Sequence, residues 1–227
     1  MLNAIAMIPS APVMVPDLAG AAAAEVADLR EAVCVAAASL PPRWVVVGVG
    51  PADTVVGPQW VGTFAGYGVD LPVRLAPDGD VAGELPLCAL IAGWVRGQAT
   101  PQARAEVRVY APEHGVGAAL ARGRQLRAEI EEAADPIGVL VVADGARTLT
   151  APAPGGYDPE SIPVQHALDE ALAAGDIAAL TRLPATIVGR VAYQVLAGLA
   201  EPGPRSAKAL YRGAPYGVGY FAGVWQP

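Results

Sequence analysis

Charge is scarce in this chain of 227 residues: Asp, Glu, Lys and Arg make up 16% of it, against 53% hydrophobic residues. Lys208 is the only lysine, and the net charge is −7. Nucleic-acid binders need clustered basic side chains to displace counterions. The nearest cluster here, Arg122, Arg124 and Arg127, shares its helical segment with Glu129, Glu131 and Glu132, so nucleic acid is excluded as a partner. Cysteine is almost missing. Cys34 and Cys88 both fall in apolar helical patterns without Cys-x-x-Cys spacing, as buried free thiols do; this excludes a disulfide framework and a thiolate zinc site. Histidine is equally rare, with His114 and His166 alone. No uninterrupted apolar run reaches the ~20 residues that span a bilayer, and Met1 leads into an apolar run without a basic leader. The expectation is a cytoplasmic protein with no membrane partner.

What the chain does have is apolar periodicity punctuated by proline and glycine. Leu2 to Ile8 reads as a buried strand stopped by Pro9. A helix is expected from Asp17 to about Ser39 on the stripe Val26, Leu29, Val33, Ala36 and Leu40. Arg43 to Gly50 holds four β-branched valines without polar alternation, the mark of a strand buried on both faces. About 30 residues then lack a long element, as in a lid, a cleft wall or a partner surface; Pro72 to Leu75 reads as a short strand within them. Helices at Pro86–Gln98 and Gly115–Ala134 flank a strand at Glu106–Ala111. Ile137 to Ala143 is a further buried strand. Helices then follow from Ser161, from Asp176 and over Pro184–Leu199, with Ser161 favoured as the first cap because Pro163 fits only a first turn. The tail, Ala207 to Trp225, reads as a β-hairpin at a sheet edge. An aromatic hairpin there is compatible with a homodimer as well as a monomer. Strands alternating with helices predict an α/β fold: one domain over 1–227, three αβα layers, a mostly parallel or mixed central sheet and a C-terminal antiparallel hairpin.

In such sheets, sites gather where loops leave the carboxyl ends of strands. Three exits qualify: Pro9-Ser10, Gly50-Pro51 and Asp144-Gly145-Ala146-Arg147. If their strands are neighbours, Ser10, Pro51, Asp144 and Arg147 share one rim and outline a cleft. Asp144 and Arg147, three residues apart, are expected to pair or to leave Arg147 free for an anion. Asp158 and Glu160 suit a helix start. Gly48-x-Gly50 hints at dinucleotide binding but lacks the third glycine and the following helix. A Ser10, His166, Asp144 triad has no Gly-x-Ser-x-Gly elbow behind it.

The segments IPSAPVMVPDLAG, VVVGVGPADT, VVADGARTLTAPAPGGYDPESIPVQHAL and IVGRVAYQVLAG, in that order, resemble the B-subunit-like family of class III extradiol ring-cleavage dioxygenases, in particular its small actinobacterial members. The resemblance covers most of the chain. It implies a catechol-type ring opened by O₂ at a non-haem Fe(II) held by two histidines and a glutamate, with another histidine in acid/base catalysis. At the matching positions this chain has Ser10, Pro51 and Arg147 for the histidines, and Gly189, Arg190, Val191 and Ala192 where the glutamate falls. No matched ligand is kept, and His114 and His166 are better read as capping or surface residues than as a rebuilt site. The expected function is a metal-free scaffold, with no cofactor, that binds a small anionic or aromatic ligand or a partner in the cleft. The alternative is a ring-cleavage-dioxygenase-like or other enzyme using the same cleft, through a rebuilt metal site or through Asp144 and Arg147.

Overall fold

The computed structural model describes all 227 residues. In chain order its elements are β1 (Leu2–Ile8), the short α1 (Pro16–Ala19), α2 (Ala27–Ala38), β2 (Arg43–Val49), β3 (Thr54–Val56), β4 (Trp60–Thr63), β5 (Pro72–Arg74), β6 (Val81–Ala82), α3 (Leu87–Ala99), β7 (Arg104–Tyr110), α4 (Val116–Glu131), β8 (Ile137–Val142), α5 (Ser161–Ala174), the short α6 (Ile177–Leu180), α7 (Arg190–Leu199), β9 (Ser206–Gly213) and β10 (Tyr220–Gln226).

Seven strands form one mixed sheet in the order β3-β7-β2-β8-β1-β10-β9. Its centre, β7-β2-β8-β1, is parallel. Antiparallel strands close both ends: β3 on β7, and the hairpin β10-β9 on β1. The valine runs account for the centre. All six residues of β8 are buried, as are Trp44 to Val47 of β2, because helices cover both faces. With side chains alternating between faces, Ala4, Ala6, Ile8, Trp44, Val46, Leu140 and Val142 pack under α2 and α3. Their neighbours Ile5, Met7, Val45, Val47, Val139 and Val141 pack under α4, α5 and α7. The chain winds from β1 through β2 to β7 with helices on the first face. It then returns through α4 on the second face and inserts β8 between β2 and β1.

The second layer is tight because two backbones meet. A Cβ at Gly123 of α4 would stand 2.1 Å from the Val195 carbonyl oxygen of α7, and one at Gly198 would stand 2.2 Å from the Leu120 oxygen. Gly48 has a similar packing role: a Cβ there would lie 2.4 Å from that of Cys88. This close packing of β2 against α3 accounts for one glycine of the dinucleotide-like pair.

Three expectations differ from the fold. The helix expected from Asp17 is interrupted: Gly20 sits at φ 55°, and continuous α-helix begins only at Ala27, although Val26, Leu29, Val33 and Ala36 are buried as the stripe requires. The segment after β2 is no open lid. It contributes β3 to the main sheet and folds β5-β4-β6 into a separate three-stranded sheet. The last helix starts at Arg190, six residues after Pro184, because two turns fill the lead-in and Ile187 between them is held by an isolated bridge to Ala146. No helix is long and apolar enough to cross a membrane.

Candidate functional site

Because β2, β8 and β1 are adjacent and parallel, the exits carrying Pro51, Asp144 and Ser10 share one rim. Asp144 is its centre. The Ser10 backbone N–H donates to Asp144 Oδ1 at 2.8 Å. The contact therefore runs through the main chain of Ser10, with no nucleophile-like hydroxyl geometry. Asp144 Oδ2 has no hydrogen-bond partner in the chain, yet it is not sealed off: the only buried side-chain polar atoms without partners are Trp44 Nε1 and Thr150 Oγ1. Burial pushes the Asp144 carboxyl up to about 7, with the Ser10 amide pulling the other way. The hydroxyls of Tyr193 and Tyr220 are pushed up first by their own burial and then by the Asp144 charge, which places both tyrosines around the carboxyl.

The loop after Asp144 is held from three sides. Gly189, just before α7, donates its N–H to the Asp144 carbonyl at 2.8 Å, and Val188 donates to Gly145 at 3.1 Å. From the lead-in to β10, Gly219 exchanges bonds with Gly145 and Ala146, both at 2.8 Å. From α5, buried Gln165 accepts the Ala146 N–H on Oε1 at 2.8 Å and donates from Nε2 to Asp169 Oδ1 at 2.8 Å. The fully buried Tyr193 completes the frame, its hydroxyl donating to the Ala143 carbonyl at 2.9 Å. Gln165 and Tyr193 are the residues that spacing alone did not single out, although Gln165 shares an apolar helical stripe with Leu168 and Leu172.

Of the two alternatives expected for Asp144 and Arg147, the pairing does not occur. The exposed Arg147 side chain packs its Cγ by Gly155, while Asp144 is turned inward to Ser10. Pro51 is exposed and has neither an N–H nor a side-chain ligand atom to offer. Farther along the loop, Asp158 accepts the Glu160 N–H at 3.0 Å. Ser161 is the first helical residue rather than the cap; it is buried, and Thr148 donates to its Oγ at 2.7 Å.

The two histidines flank opposite edges of the sheet. His114, after β7, bonds through Nε2 to both oxygens of Asp53, at 2.7 and 2.9 Å. Asp53 also accepts the Ala111 N–H at 2.8 Å and meets Arg122 at 3.4 Å. That backbone bond comes first, and the His114 bond also contributes, in holding the Asp53 carboxyl below the usual carboxylate range. His166 lies on α5 beside a cavity that reaches Arg212 of β9. No group of three His, Cys, Asp or Glu side chains is arranged to hold a metal ion.

No protein-family model matches the chain, and no curated protein sequence matches it. Among solved structures, the fold is similar to that of the uncharacterised protein JW3007 from Escherichia coli K12, with a TM-score of 0.57 over 98% of this chain and 99% of that one. The two are 11% identical, so the likeness is one of fold.

Proposed function

We propose that this chain is an extradiol-dioxygenase-like scaffold that works without the family's Fe(II) and binds a small molecule at the ends of β1, β2 and β8. The observation that carries the reading is the Asp144 carboxyl: one oxygen is fixed by the Ser10 amide, and the other is unpartnered at a strand-end rim. A carboxyl with its midpoint near 7 meets a ligand hydroxyl equally well as donor or acceptor. Arg147, free of any ion pair on the same loop, supplies a permanent cation for a carboxylate. These features favour a small aromatic or anionic ligand. The donor set does not fit a two-histidine, one-glutamate iron site: Ser10 offers only a neutral hydroxyl in place of an imidazole, Pro51 and Gly189 carry no ligand atoms on their side chains, and Arg147 is cationic.

The test is a calorimetric titration with catechol and with benzoate, on the purified protein and on Asp144→Asn and Arg147→Ala. Saturable binding is expected, weakened at least tenfold for catechol by the first substitution and for benzoate by the second. Stoichiometric iron in the purified protein together with aerobic turnover of catechol would overturn the reading. A second reading rests on the same carboxyl, since an acid with its midpoint near 7 is suited to proton transfer at neutral pH. In that case substrate turnover is lost in Asp144→Asn while ligand affinity is kept.

A further inference from the structure

Away from the rim, a cavity of about 280 Å³ lies between α1, β5 and the last turns of α3. Arg96, in the final turn of α3, lines it and is only 6% exposed.

Arg96 has a structural task. Its Nε donates to the Arg74 carbonyl of β5 at 2.8 Å, and its Nη1 donates to the carbonyls of Pro101 and Ala103. These bonds pin the turn between α3 and β7 onto β5. They use three of the guanidinium's five N–H groups. The two on Nη2 have no partner in the chain, and Nη2 is not sealed, since the only sealed polar atoms without partners are Trp44 Nε1 and Thr150 Oγ1.

The charge of Arg96 is unmatched as well. Its acceptors are all neutral carbonyls, and it makes no ion pair. Its neighbour Arg74 is another cation, bonded only to the Gly79 carbonyl. Burial first, and then the Arg74 charge, push the Arg96 guanidinium below its usual range. Buried charges are ordinarily paired. The one carboxylate in the lining, Asp17, is exposed and makes no ion pair; solvent screens it far more than it screens buried Arg96. Leu71 and Trp94 supply an apolar wall.

We propose that this cavity binds a small monocarboxylate with an apolar body, the carboxylate on Arg96 Nη2 and the body against Leu71 and Trp94. A carboxylate accepts without donating and carries one negative charge, which complements a guanidinium with two N–H groups to spare. A dianion is disfavoured by Asp17 at the mouth. Arg96 reaches Ala103, just before β7, so the cavity lies towards the amino ends of the strands. It is separate from the Asp144 rim and does not depend on the ligand proposed there.

The experiment is a calorimetric titration of the intact protein at pH 7 with 4-methylpentanoate, its neutral amide 4-methylpentanamide, and inorganic phosphate. The acid is expected to bind saturably at one site in the cavity, at least tenfold more tightly than the amide or phosphate. Gly97 of α3 lines the same cavity, and a Cβ there would meet nothing within 4 Å. Gly97→Leu therefore fills the cavity without a clash and replaces a poor helix former with a good one. It is expected to abolish this binding and leave the thermal midpoint no lower. Binding at the rim would survive that substitution, so the two sites are told apart. Arg96→Lys keeps the charge and loses the fork; with a far-UV spectrum matching the parent it is expected to bind the acid at least tenfold more weakly. Should that variant not fold, the three probes and Gly97→Leu decide without it. No saturable binding of the acid, an amide or phosphate affinity within tenfold of it, or unchanged affinity in Gly97→Leu or in folded Arg96→Lys would each overturn the proposal.

Discussion

The Ser10 amide and the Asp144 carboxyl, separated by 134 residues, meet at 2.8 Å. Adjacent parallel strands, β1 and β8, deliver them to the same rim. This bond ties together two of the three exits that define the candidate site, and it partly offsets the burial that raises the Asp144 carboxyl.

Because burial lifts the Asp144 midpoint to about 7, above the ~3.9 of an unfolded aspartate, the folded state holds a proton that the unfolded state releases. Its contribution to stability is complete below about pH 4 and is lost as pH rises towards 7. Asp144→Asn keeps the oxygen that Ser10 needs and removes the ionisation. Urea midpoints at pH 5 and pH 8 are expected to show the variant gaining relative to the parent at the higher pH, by on the order of 3 kcal/mol. The same offset at both values would refute the assignment.

Gln165→Ala leaves the Ala146 N–H without its acceptor in a buried position. A loss of about 2 kcal/mol in stability is expected. Hydrogen exchange provides the local readout: the Ala146 amide should exchange much faster in the variant, with β8 amides changed only by the global loss.

Arg147→Ala removes an exposed side chain that has no ion-pair partner. Thermal unfolding is expected to shift by the equivalent of less than about 0.5 kcal/mol. A larger loss would mean that the guanidinium supports the loop and is not held in reserve for a ligand.

Gly123→Ala and Gly198→Ala each place a methyl about 2 Å from a backbone oxygen of the facing helix. Helices α4 and α7 must separate to admit it, and overpacking of this kind costs about 1–3 kcal/mol. Denaturant midpoints are expected to fall for each. The double variant should fall by less than the sum, since one separation relieves both clashes.

The three-layer architecture was legible because its central strands are buried on both faces, which leaves unbroken apolar runs such as Val45 to Val47 and Val139 to Val142. The shared rim was legible as a condition, and the strand order met it. The segment from Pro51 to Pro86 was less so: β3, β5 and β6 are two or three residues long, too short to show a period of two among so many glycines and prolines. The Asp144–Arg147 pair was inferred from spacing along the chain. The partner that Asp144 found was an amide 134 residues away, brought there by strand pairing that spacing does not encode. Gln165 was within reach, as a polar residue in line with Leu168 and Leu172 on the inner face of α5.

Gly189 limits what its position can hold. It lies in the segment where the resemblance expects a glutamate, and its amide closes onto the Asp144 carbonyl at 2.8 Å. A Cβ there would stand 2.5 Å from that of Ala143 and 2.8 Å from the same carbonyl oxygen. Any side chain at this residue, an acidic one included, demands that β8 and the lead-in to α7 part first. The packing acts as a ratchet: a longer side chain at this residue passes through a less stable protein.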